Sequence, residues 1–332
     1  MMKRLGLAMA ILLSASSASV ARDASDTPDI KEWTVPYDDS RPRDPFAVSP
    51  EAVWFVGQLG GYLARLDATT GRFEQVDLGH GAGPHNLIVG RDGRVWYTAN
   101  LRGFIGVYDP ASGETERIDL PAAAIDPHTL VFDADESHAF FTVQGGNMVG
   151  RVTVEAMTAK VVPVPTDAAR PYGIRVAPDG TVWATLFGTN KLAEIDPKTL
   201  AITEHEVPEA NARPRRLAIT GDGQIWFVDF ARGRLGRYDP AADVWEMWDS
   251  PSGDEARPYG MAKDGEDRLW FVETGPAPNR FVGFDPVSRS FIGPVDIPSG
   301  GGTVRHMHYH EATDTIWFGT DANTIGRAAL PD

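Results

Sequence analysis

Short apolar runs recur along the chain, and each contains one aromatic residue and is bounded by turn residues. Successive aromatic positions lie 42, 44, 43, 43, 44 and 47 residues apart. They are Trp54, Trp96, Phe140, Trp183, Trp226, Trp270 and Trp317. Runs such as QIWFV and RLWFV are apolar at nearly every position, as expected for strands packed between neighbouring layers. The spacing indicates seven copies of one structural unit.

Residues 171–208 show the unit most clearly. The β-rich run GIRVA ends at the turn pair Asp179-Gly180 and is followed by TVWATL, KLAEI and ITEHEV. A Gly/Asn turn and the pair Asp196-Pro197 separate these later runs. Runs of this kind joined by tight turns predict four short antiparallel strands. A four-stranded unit of ~40 to 45 residues is typical of a propeller blade, whereas helical repeats would show a 3.6-residue period that is absent here.

The ends of the chain predict how the ring closes. The last run, IGRAAL, stops one strand short of a complete seventh blade, and residues 30–35 (IKEWTV) resemble the outer strand EHEV of the repeat. We therefore predict an all-β fold, a seven-bladed β-propeller of four-stranded antiparallel blades, in which the N-terminal strand closes the last blade. No linker or change of composition divides residues 30–332, so we expect a single domain.

Residues 1–21 are expected to be a signal peptide, with residues 22–29 as a short lead. Lys3 and Arg4 precede an apolar run over residues 5–13, and small residues end in Ser19-Val20-Ala21. This order is that of a secretory leader with an A-x-A type cleavage site. No run in the chain reaches the ~20 apolar residues that a membrane span needs. We expect an exported protein, periplasmic or extracellular, without membrane insertion.

Composition narrows the partners. The chain has 31 Lys and Arg against 46 Asp and Glu, a net charge of −15, and loss of Lys3 and Arg4 with the leader leaves 29 against 46, or −17. An acidic surface repels phosphate backbones, which argues against nucleic acid. There is no cysteine, so no disulfide is available and stability rests on the core. We expect a monomer with a small-molecule or cyclic peptide or ester ligand.

Hairpin geometry places two repeat positions at the same rim, namely the residue eleven before each aromatic and the residue three after it. With one inserted residue allowed before Phe140, the first ring is Arg43, His85, His128, Tyr172, Arg215, Tyr259 and His306. The second ring is Gly57, Ala99, Val143, Leu186, Asp229, Glu273 and Thr320. Packing alone would keep one apolar residue type at a repeat position. The varied polar side chains of the first ring therefore predict a ligand site at one channel mouth.

The repeat P-[HY]-G-I-x-V-x-P-D-G-x-[VL]-W-F-x-E, followed by N-x-[IVL]-G-R-[IVY], covers nearly all of the chain and resembles the streptogramin B lyase (virginiamycin B lyase) family. The resemblance implies a catalytic histidine eleven residues before one Trp. It also implies two glutamates that hold Mg²⁺, one two residues before that histidine and one three residues after the Trp. In the sixth blade these positions are Tyr259, Arg257 and Glu273, so two of the three residues are replaced. The third blade has the acid-x-His pair Asp126 and His128, but Val143 stands where the second acid belongs.

The activity implied by the resemblance is elimination of a C–O bond next to a carbonyl, with a base taking the α-proton and a metal stabilising the enolate. Tyr259 is a candidate base if neighbouring cations lower its pKa. The predicted catalytic residues are Tyr259, Glu273 and His306. The predicted substrate-binding residues are Arg43, His85, His128, Tyr172, Arg215 and Arg257. Glu273 and Asp229 are the candidates for holding Mg²⁺ or Ca²⁺, and no organic cofactor is expected.

Three neighbouring histidines, His306, His308 and His310, alternate along one strand and so share a face. We expect His308 and His310 to pack between blades, at positions that correspond to leucine, valine and isoleucine elsewhere, and His306 to reach the mouth. Three functional hypotheses remain: a lyase acting on a cyclic ester or related substrate, a metal-dependent lactonase or esterase of the gluconolactonase-like type, and a noncatalytic binding propeller. The lactonase needs several carboxylate and amide ligands, for which Glu273, Asp229 and Asn100 qualify.

Overall fold

The computed structural model describes residues 27–79 and 81–331. The predicted signal peptide, residues 1–21, and most of the predicted lead lie outside these residues. Within the described part the strands form seven separate sheets, each of four antiparallel strands. The innermost strands of successive sheets contact one another around a closed ring. This confirms the predicted seven-bladed propeller. The described residues include no helix that is long and apolar enough to cross a membrane.

Six blades consist of four consecutive strands, innermost strand first. Blades one to three comprise β2 Pro42–Ala47, β3 Ala52–Gly57, β4 Tyr62–Asp67, β5 Arg72–Asp77, β6 Pro84–Val89, β7 Val95–Ala99, β8 Phe104–Tyr108, β9 Thr115–Asp119, β10 Pro127–Phe132, β11 His138–Val143, β12 Met148–Thr153 and β13 Thr158–Pro163. Blades four to six comprise β14 Pro171–Val176, β15 Val182–Leu186, β16 Lys191–Ile195, β17 Ile202–Glu206, β18 Pro214–Ile219, β19 Ile225–Asp229, β20 Arg234–Asp239, β21 Val244–Asp249, β22 Pro258–Lys263, β23 Leu269–Glu273, β24 Arg280–Asp285 and β25 Ser290–Asp296.

The seventh blade joins the two ends of the chain, as predicted. It comprises β26 Val304–His310, β27 Thr315–Thr320, β28 Thr324–Ala329 and, as its outer strand, β1 Asp29–Thr34. β1 pairs with β28 along its whole length. Trp33 of β1 stacks on Trp317 of β27, with 5.5 Å between ring centroids. The joint pairs what would otherwise be the free edge of β28.

The recurring turn residues have structural roles. Gly93, Gly180 and Gly223 of the Asp-Gly pairs have φ of 83°, 89° and 82°, a region that favours glycine. In five blades an aspartate at or just after the end of the third strand caps the following turn. Asp196 Oδ1, for example, accepts hydrogen bonds from the backbone amides of Lys198 at 2.9 Å and Thr199 at 2.7 Å. These residues build the repeat and are not candidates for chemistry.

The aromatic residues of the second strands lie between blades, as predicted. Trp270 and Trp317 are completely buried, and Phe140 fills the same position in the third blade. In four blades the aromatic residue that follows packs over a glycine of the third strand, in the pairs Tyr97/Gly106, Phe141/Gly150, Phe227/Gly236 and Phe318/Gly326. At Gly236, a Cβ would overlap the ring of Phe227. Only glycine leaves room for the ring at this crossing.

The inner strands line the channel in layers that can be counted from their first residue, which pairs with the last residue of the second strand. The first layer, one residue further on, is Arg43, His85, His128, Tyr172, Arg215, Tyr259 and Arg305. The second layer is Asp44, Asn86, Thr129, Gly173, Arg216, Gly260 and His306. The third layer, opposite the buried aromatics, is Phe46, Ile88, Val131, Arg175, Ala218, Ala262 and His308.

The predicted ring is correct in six blades and one residue out of register in the seventh. Val304 pairs with Thr320 and His308 pairs with Trp317, so Arg305 takes the ring position that counting assigned to His306. A 3₁₀ turn over Glu311–Thr313 adds a residue between the first two strands of this blade. The same shift places His308 and His310 one position further along the repeat than expected.

We predict that Trp33→Ala loosens the joint of the ring. Loss of the stack on Trp317 is expected to lower the free energy of unfolding by about 2 kcal/mol, less than for a fully buried tryptophan because Trp33 is partly exposed. Hydrogen–deuterium exchange should rise in β28.

Trp248→Ala is the matched control, since Trp248 stacks on Trp226 from an outer strand within a continuous blade, at 5.3 Å between ring centroids. Trp248→Ala should lower the free energy of unfolding by a similar amount without increasing hydrogen–deuterium exchange in β28. Equal exchange in β28 for both variants would contradict a specific role of Trp33 in closure.

Candidate functional site

Four side chains of the first layer form a continuous arc at one channel mouth. The rings of His85 and His128 lie 3.8 Å apart between centroids, and those of His128 and Tyr172 lie 4.0 Å apart. The hydroxyls of Tyr172 and Tyr259 are hydrogen-bonded to each other. The structure therefore gathers these four predicted residues at a common site.

Two arginines complete this arc. The guanidinium carbon of Arg215 lies 3.5 Å from the ring centroid of Tyr259 and 4.3 Å from that of Phe230. Such a cation–π contact is strongest where water is excluded. Arg43 is buried and donates from Nη1 to Gln58 Oε1 at 3.1 Å. Arg305, the first-layer residue of the seventh blade, forms an ion pair with Asp321 and does not join the arc.

The second layer closes the channel beneath the mouth with a buried ion cluster. Asp44 is fully buried and accepts hydrogen bonds from Arg43 Nε at 3.0 Å and Asn86 Nδ2 at 2.9 Å. Arg216 lies 3.8 Å from the second carboxylate oxygen of Asp44 and donates to Thr129 Oγ1 at 2.9 Å. Burial alone would raise the pKa of Asp44, but the neighbouring cations Arg43 and Arg216 outweigh it and hold the pKa well below its usual range.

Positive charge exceeds negative charge around this cluster. Among the described residues, buried Arg43 Nη2, Arg215 Nε and Arg216 Nη2 have no hydrogen-bond partner. Buried donors are nearly always paired in native proteins. Arg43 and Arg215 belong to the first layer, and their unpaired guanidinium donors therefore favour a ligand at the mouth that brings carbonyl or carboxylate oxygens.

The two tyrosines have different acidities. Burial and the adjacent phenol of Tyr172 raise the pKa of Tyr259 to about 12. Burial also acts to raise the pKa of Tyr172, but the combined effect of the guanidinium groups of Arg215 and Arg216 is larger. The pKa of Tyr172 therefore lies below the ordinary 10.0. Tyr172 is therefore the more acidic member of the pair, and Tyr259 does not meet the condition for a base.

The histidines of the channel are uncharged at neutral pH. Burial, reinforced by nearby arginines, lowers the pKa of His85, His128 and His306 well below the usual 6.5. His85 Nδ1 lies 2.9 Å from the carbonyl oxygen of His128, which fixes the ring proton on that nitrogen. These rings line the site as neutral polar surfaces.

The residues just before the inner strands form an outer rim of the mouth. They are Arg41, Gly83, Asp126, Arg170, Arg213, Arg257 and Thr303. Asp126 is the single acid at this repeat position. It is half-buried and accepts a hydrogen bond from Asn100 Nδ2 at 3.3 Å. Burial raises the pKa of Asp126 to about 6, against the opposing effects of Asn100, Arg170 and Arg43.

Donors of nearby loops engage both carboxylate oxygens of Glu273 and one of the two of Asp229. Glu273 is fully buried, and its two carboxylate oxygens accept hydrogen bonds from the backbone amide and hydroxyl of Ser252 at 2.8 and 2.5 Å. Asp229 Oδ1 accepts from the backbone amides of Arg213 at 2.8 Å and Ala231 at 3.1 Å. The described residues contain no group of three His, Asp or Glu side chains placed to hold a metal ion. This donor set, with Arg257 at the other ligand position, does not fit a magnesium ion of the kind the resemblance implies.

An open cleft of about 580 Å³ lies beside the mouth, between the fifth and sixth blades. Arg257 and Arg232 line it together with Phe230, whose ring contacts Arg215 of the first layer. The cleft gives Arg257 an exposed position at the edge of the site. A ligand at the mouth can extend into this cleft.

Comparison with known proteins identifies the family. A sequence profile of the Virginiamycin B lyase family matches residues 12–276, well over half of the chain. The chain belongs to the virginiamycin B lyase family. A search of curated protein sequences gave no significant match.

Several solved structures have the same fold, among them lyases of this name. A streptogramin B lyase structure is 22% identical, with 93% of this chain and all of that chain covered and a TM-score of 0.82. A catalytically inactive virginiamycin B lyase from Staphylococcus aureus with quinupristin is also 22% identical, covering 91% and 99% of the two chains with a TM-score of 0.82. Hydrazine synthase from Kuenenia stuttgartiensis is 15% identical, covers 90% and 98%, and has a TM-score of 0.74.

Sequence reasoning missed the second layer as a feature, because its one predicted member, His306, was assigned to the first ring. Asp44, Arg216 and Asn86 were not singled out, although each directly follows a residue of the predicted ring. Aligning this next position across the seven repeats would have shown two opposite charges among small polar residues. The virginiamycin B lyase fold thus carries in this chain an ion cluster below its mouth.

We predict that Asp44→Asn destabilises the protein by about 3 to 5 kcal/mol, because it leaves Arg43 and Arg216 buried without a counter-charge. Asparagine keeps the size of the side chain and tolerates the positive φ of 49° at this position. Urea unfolding at pH 7 measures the change.

Asp92→Asn is the control, since Asp92 pairs with Arg94 at the surface and should cost below ~1 kcal/mol. The pH dependence gives an independent check. Because the pKa of Asp44 is depressed in the folded state, its contribution to folding stability is fully present above the ordinary carboxyl pKa of ~3.9. This contribution is lost as the pH falls below that value towards the folded-state pKa. A cost below ~1 kcal/mol for Asp44→Asn would contradict the ion cluster.

Proposed function

We propose that this chain is an exported carbon–oxygen lyase that eliminates the C–O bond of a cyclic ester or related carbonyl-activated substrate at the first-layer mouth. One observation carries the proposal. Asp126, a half-buried carboxyl with a raised pKa, lies at the rim of a mouth whose buried guanidinium groups have unpaired N–H donors. A base beside oxyanion-binding donors is what elimination next to a carbonyl requires.

Asp126 is the proposed general base. Its pKa of about 6 leaves it ionised at neutral pH while keeping it more basic than an ordinary carboxylate. Its partial exposure makes it accessible from solvent, whereas Tyr259 is 2% exposed. Asp126 takes the proton from the carbon next to the substrate carbonyl.

The arginines are the proposed electrophile. Arg43 influences the pKa of Asp126, Tyr172 and Tyr259, so its guanidinium lies within electrostatic reach of both the base and the phenol pair. An unpaired N–H of Arg43 or Arg215 can donate to the carbonyl oxygen as enolate charge develops there. The cations thereby supply the charge stabilisation without a metal ion in any step.

Tyr172 is the proposed donor to the leaving group. Its hydroxyl, hydrogen-bonded to Tyr259 and made more acidic by Arg215, donates a hydrogen bond to the departing carboxylate oxygen. The electron pair of the broken C–H bond forms the new alkene, and the electron pair of the C–O bond leaves with the carboxylate. A cyclic ester is opened in this way without water.

A noncatalytic function is the second candidate, favoured by the packing of the mouth. Tyr172 and Tyr259 are 4% and 2% exposed, and Arg215 covers the ring of Tyr259. A site filled in this way binds an anionic group at its surface without bringing it to the phenols. The lactonase hypothesis has no comparable support, because Glu273 and Asp229 are engaged by their own loops.

We also propose that the protein works outside the cytoplasm as a monomer with a small-molecule ligand. The leader-like sequence of residues 1–21 supports this location. The acidic surface argues against a nucleic acid partner. Quinupristin is the natural first probe, since it accompanies a relative with the same fold.

We predict that the purified protein converts quinupristin to a ring-opened product with an alkene conjugated to the carbonyl, detected by ultraviolet absorbance. The rate kcat/KM should rise with pH through about 6 as Asp126 ionises and fall again, below pH 10, as Tyr172 loses its proton. Asp126→Asn should lower kcat/KM at pH 7 by about 100-fold or more and remove the rising limb of the profile.

Asp119→Asn is the control, because Asp119 lies on an exposed outer strand and pairs with Arg117 there. It should leave the profile unchanged, and a chelator should not slow the wild-type protein. Binding of quinupristin without alkene formation would favour the noncatalytic function. Loss of turnover with a chelator would overturn the assignment of the arginines as electrophile.

A further inference from the structure

The channel has a second chamber at the end opposite the mouth. Third-layer residues and their neighbours line a cavity of about 310 Å³ there, at the lower end of the ~300 to 1,000 Å³ typical of ligand pockets. The second layer, with Asp44 and Arg216 fully buried, lies between this chamber and the mouth. We call it the lower chamber. It is separate from the site of the proposed lyase activity.

Most of the lower chamber is apolar. Ile88, Val131 and Ala262 of the third layer face it, and Phe46 closes one side by stacking on His308 at 4.0 Å between ring centroids. Walls of this kind favour a hydrocarbon group. They disfavour ligands with several charges, because each charge without a partner would be costly to bury.

One cation in this apolar chamber forms no ion pair within the described part of the chain, although the buried carboxylate of Asp44 is close enough to act on its pKa. Arg175 is half-buried, and its Nη1 donates a hydrogen bond to the carbonyl oxygen of Ile174 at 2.9 Å. Burial and the nearby Arg216 lower the pKa of Arg175 to about 10, so it remains charged at neutral pH. Lys263 also lines the chamber, but Asp267 neutralises it at 2.6 Å.

A second polar group in the chamber is unsatisfied. His306 is 8% exposed and lines the same cavity, and its buried Nδ1 has no hydrogen-bond partner among the described residues. The ring is neutral because burial lowers its pKa. It therefore offers one neutral hydrogen-bonding nitrogen beside the charge of Arg175.

We propose that the lower chamber binds a small amphipathic monocarboxylate. The carboxylate pairs with the Arg175 guanidinium and accepts a hydrogen bond from His306 Nδ1, and the hydrocarbon chain lies against Ile88, Val131 and Ala262. Arg175 matches a planar carboxylate through two parallel N–H donors. The cation of Arg175 and the neutral donor of His306 match a single carboxylate group, and the apolar walls match a single hydrocarbon chain.

Isothermal titration of the mature protein with octanoate and with octanamide tests the proposal. The two probes share their hydrocarbon chain and differ in charge. We expect octanoate to bind at least tenfold more tightly than octanamide. Arg175→Met, which keeps the apolar stem and removes the charge, should weaken octanoate binding at least tenfold and leave octanamide binding unchanged.

Arg72→Met is the matched control, because Arg72 lies on the exposed outer strand β5 and pairs with Glu74. It should bind octanoate as the wild type does, and so should Asp126→Asn, which separates this chamber from the proposed lyase site. Ala262→Leu narrows the chamber and should block both probes. Absence of octanoate binding at millimolar concentration, equal affinity for the two probes, or unchanged binding by folded Arg175→Met would overturn the proposal.

Discussion

The carboxylate of Asp44 lies in the channel between the guanidinium groups of Arg43 and Arg216, and the arrangement of the channel depends on this contact. A buried cation needs a partner, since the effective penalty for removing one ion from water is several kcal/mol. Asp44 supplies the charge, and Asn86 adds a hydrogen bond from Nδ2. The cluster divides the channel into a polar mouth and an apolar lower chamber.

This charge distribution runs against that of the whole protein. The chain carries a net charge of −15, yet the three channel layers contain five arginines and a single acid, Asp44. The cationic interior exists because seven inner strands converge and place one side chain from each repeat at every level. An acidic exterior with a cationic channel favours anionic groups only at the channel ends, where guanidinium groups are within reach.

The chain belongs to the virginiamycin B lyase family by its sequence pattern, and it differs from the family pattern where the chemistry is implied. Tyr259 and Arg257 replace a histidine and a glutamate, and the retained Glu273 anchors Ser252 instead of facing the mouth. These differences belong together. Arg257 places a cation where the family pattern has a metal-binding carboxylate, and the carboxyl group of Asp126 lies in the third blade, on the opposite part of the rim.

The sequence by itself determined the number of blades, the four-strand unit, the closing strand β1 and six of the seven first-layer residues. These follow from local patterns that repeat with a fixed period, because each blade repeats the same turns and the same buried aromatic. Tertiary structure decided which side chains meet. Tyr172 and Tyr259 are 87 residues apart in the chain, and only ring closure brings their hydroxyls into contact. Their unequal acidities, the engagement of Glu273 by Ser252 and the extra residue that displaces His306 likewise depend on burial and register. These are properties of neighbours in space, which the order of residues along the chain does not specify.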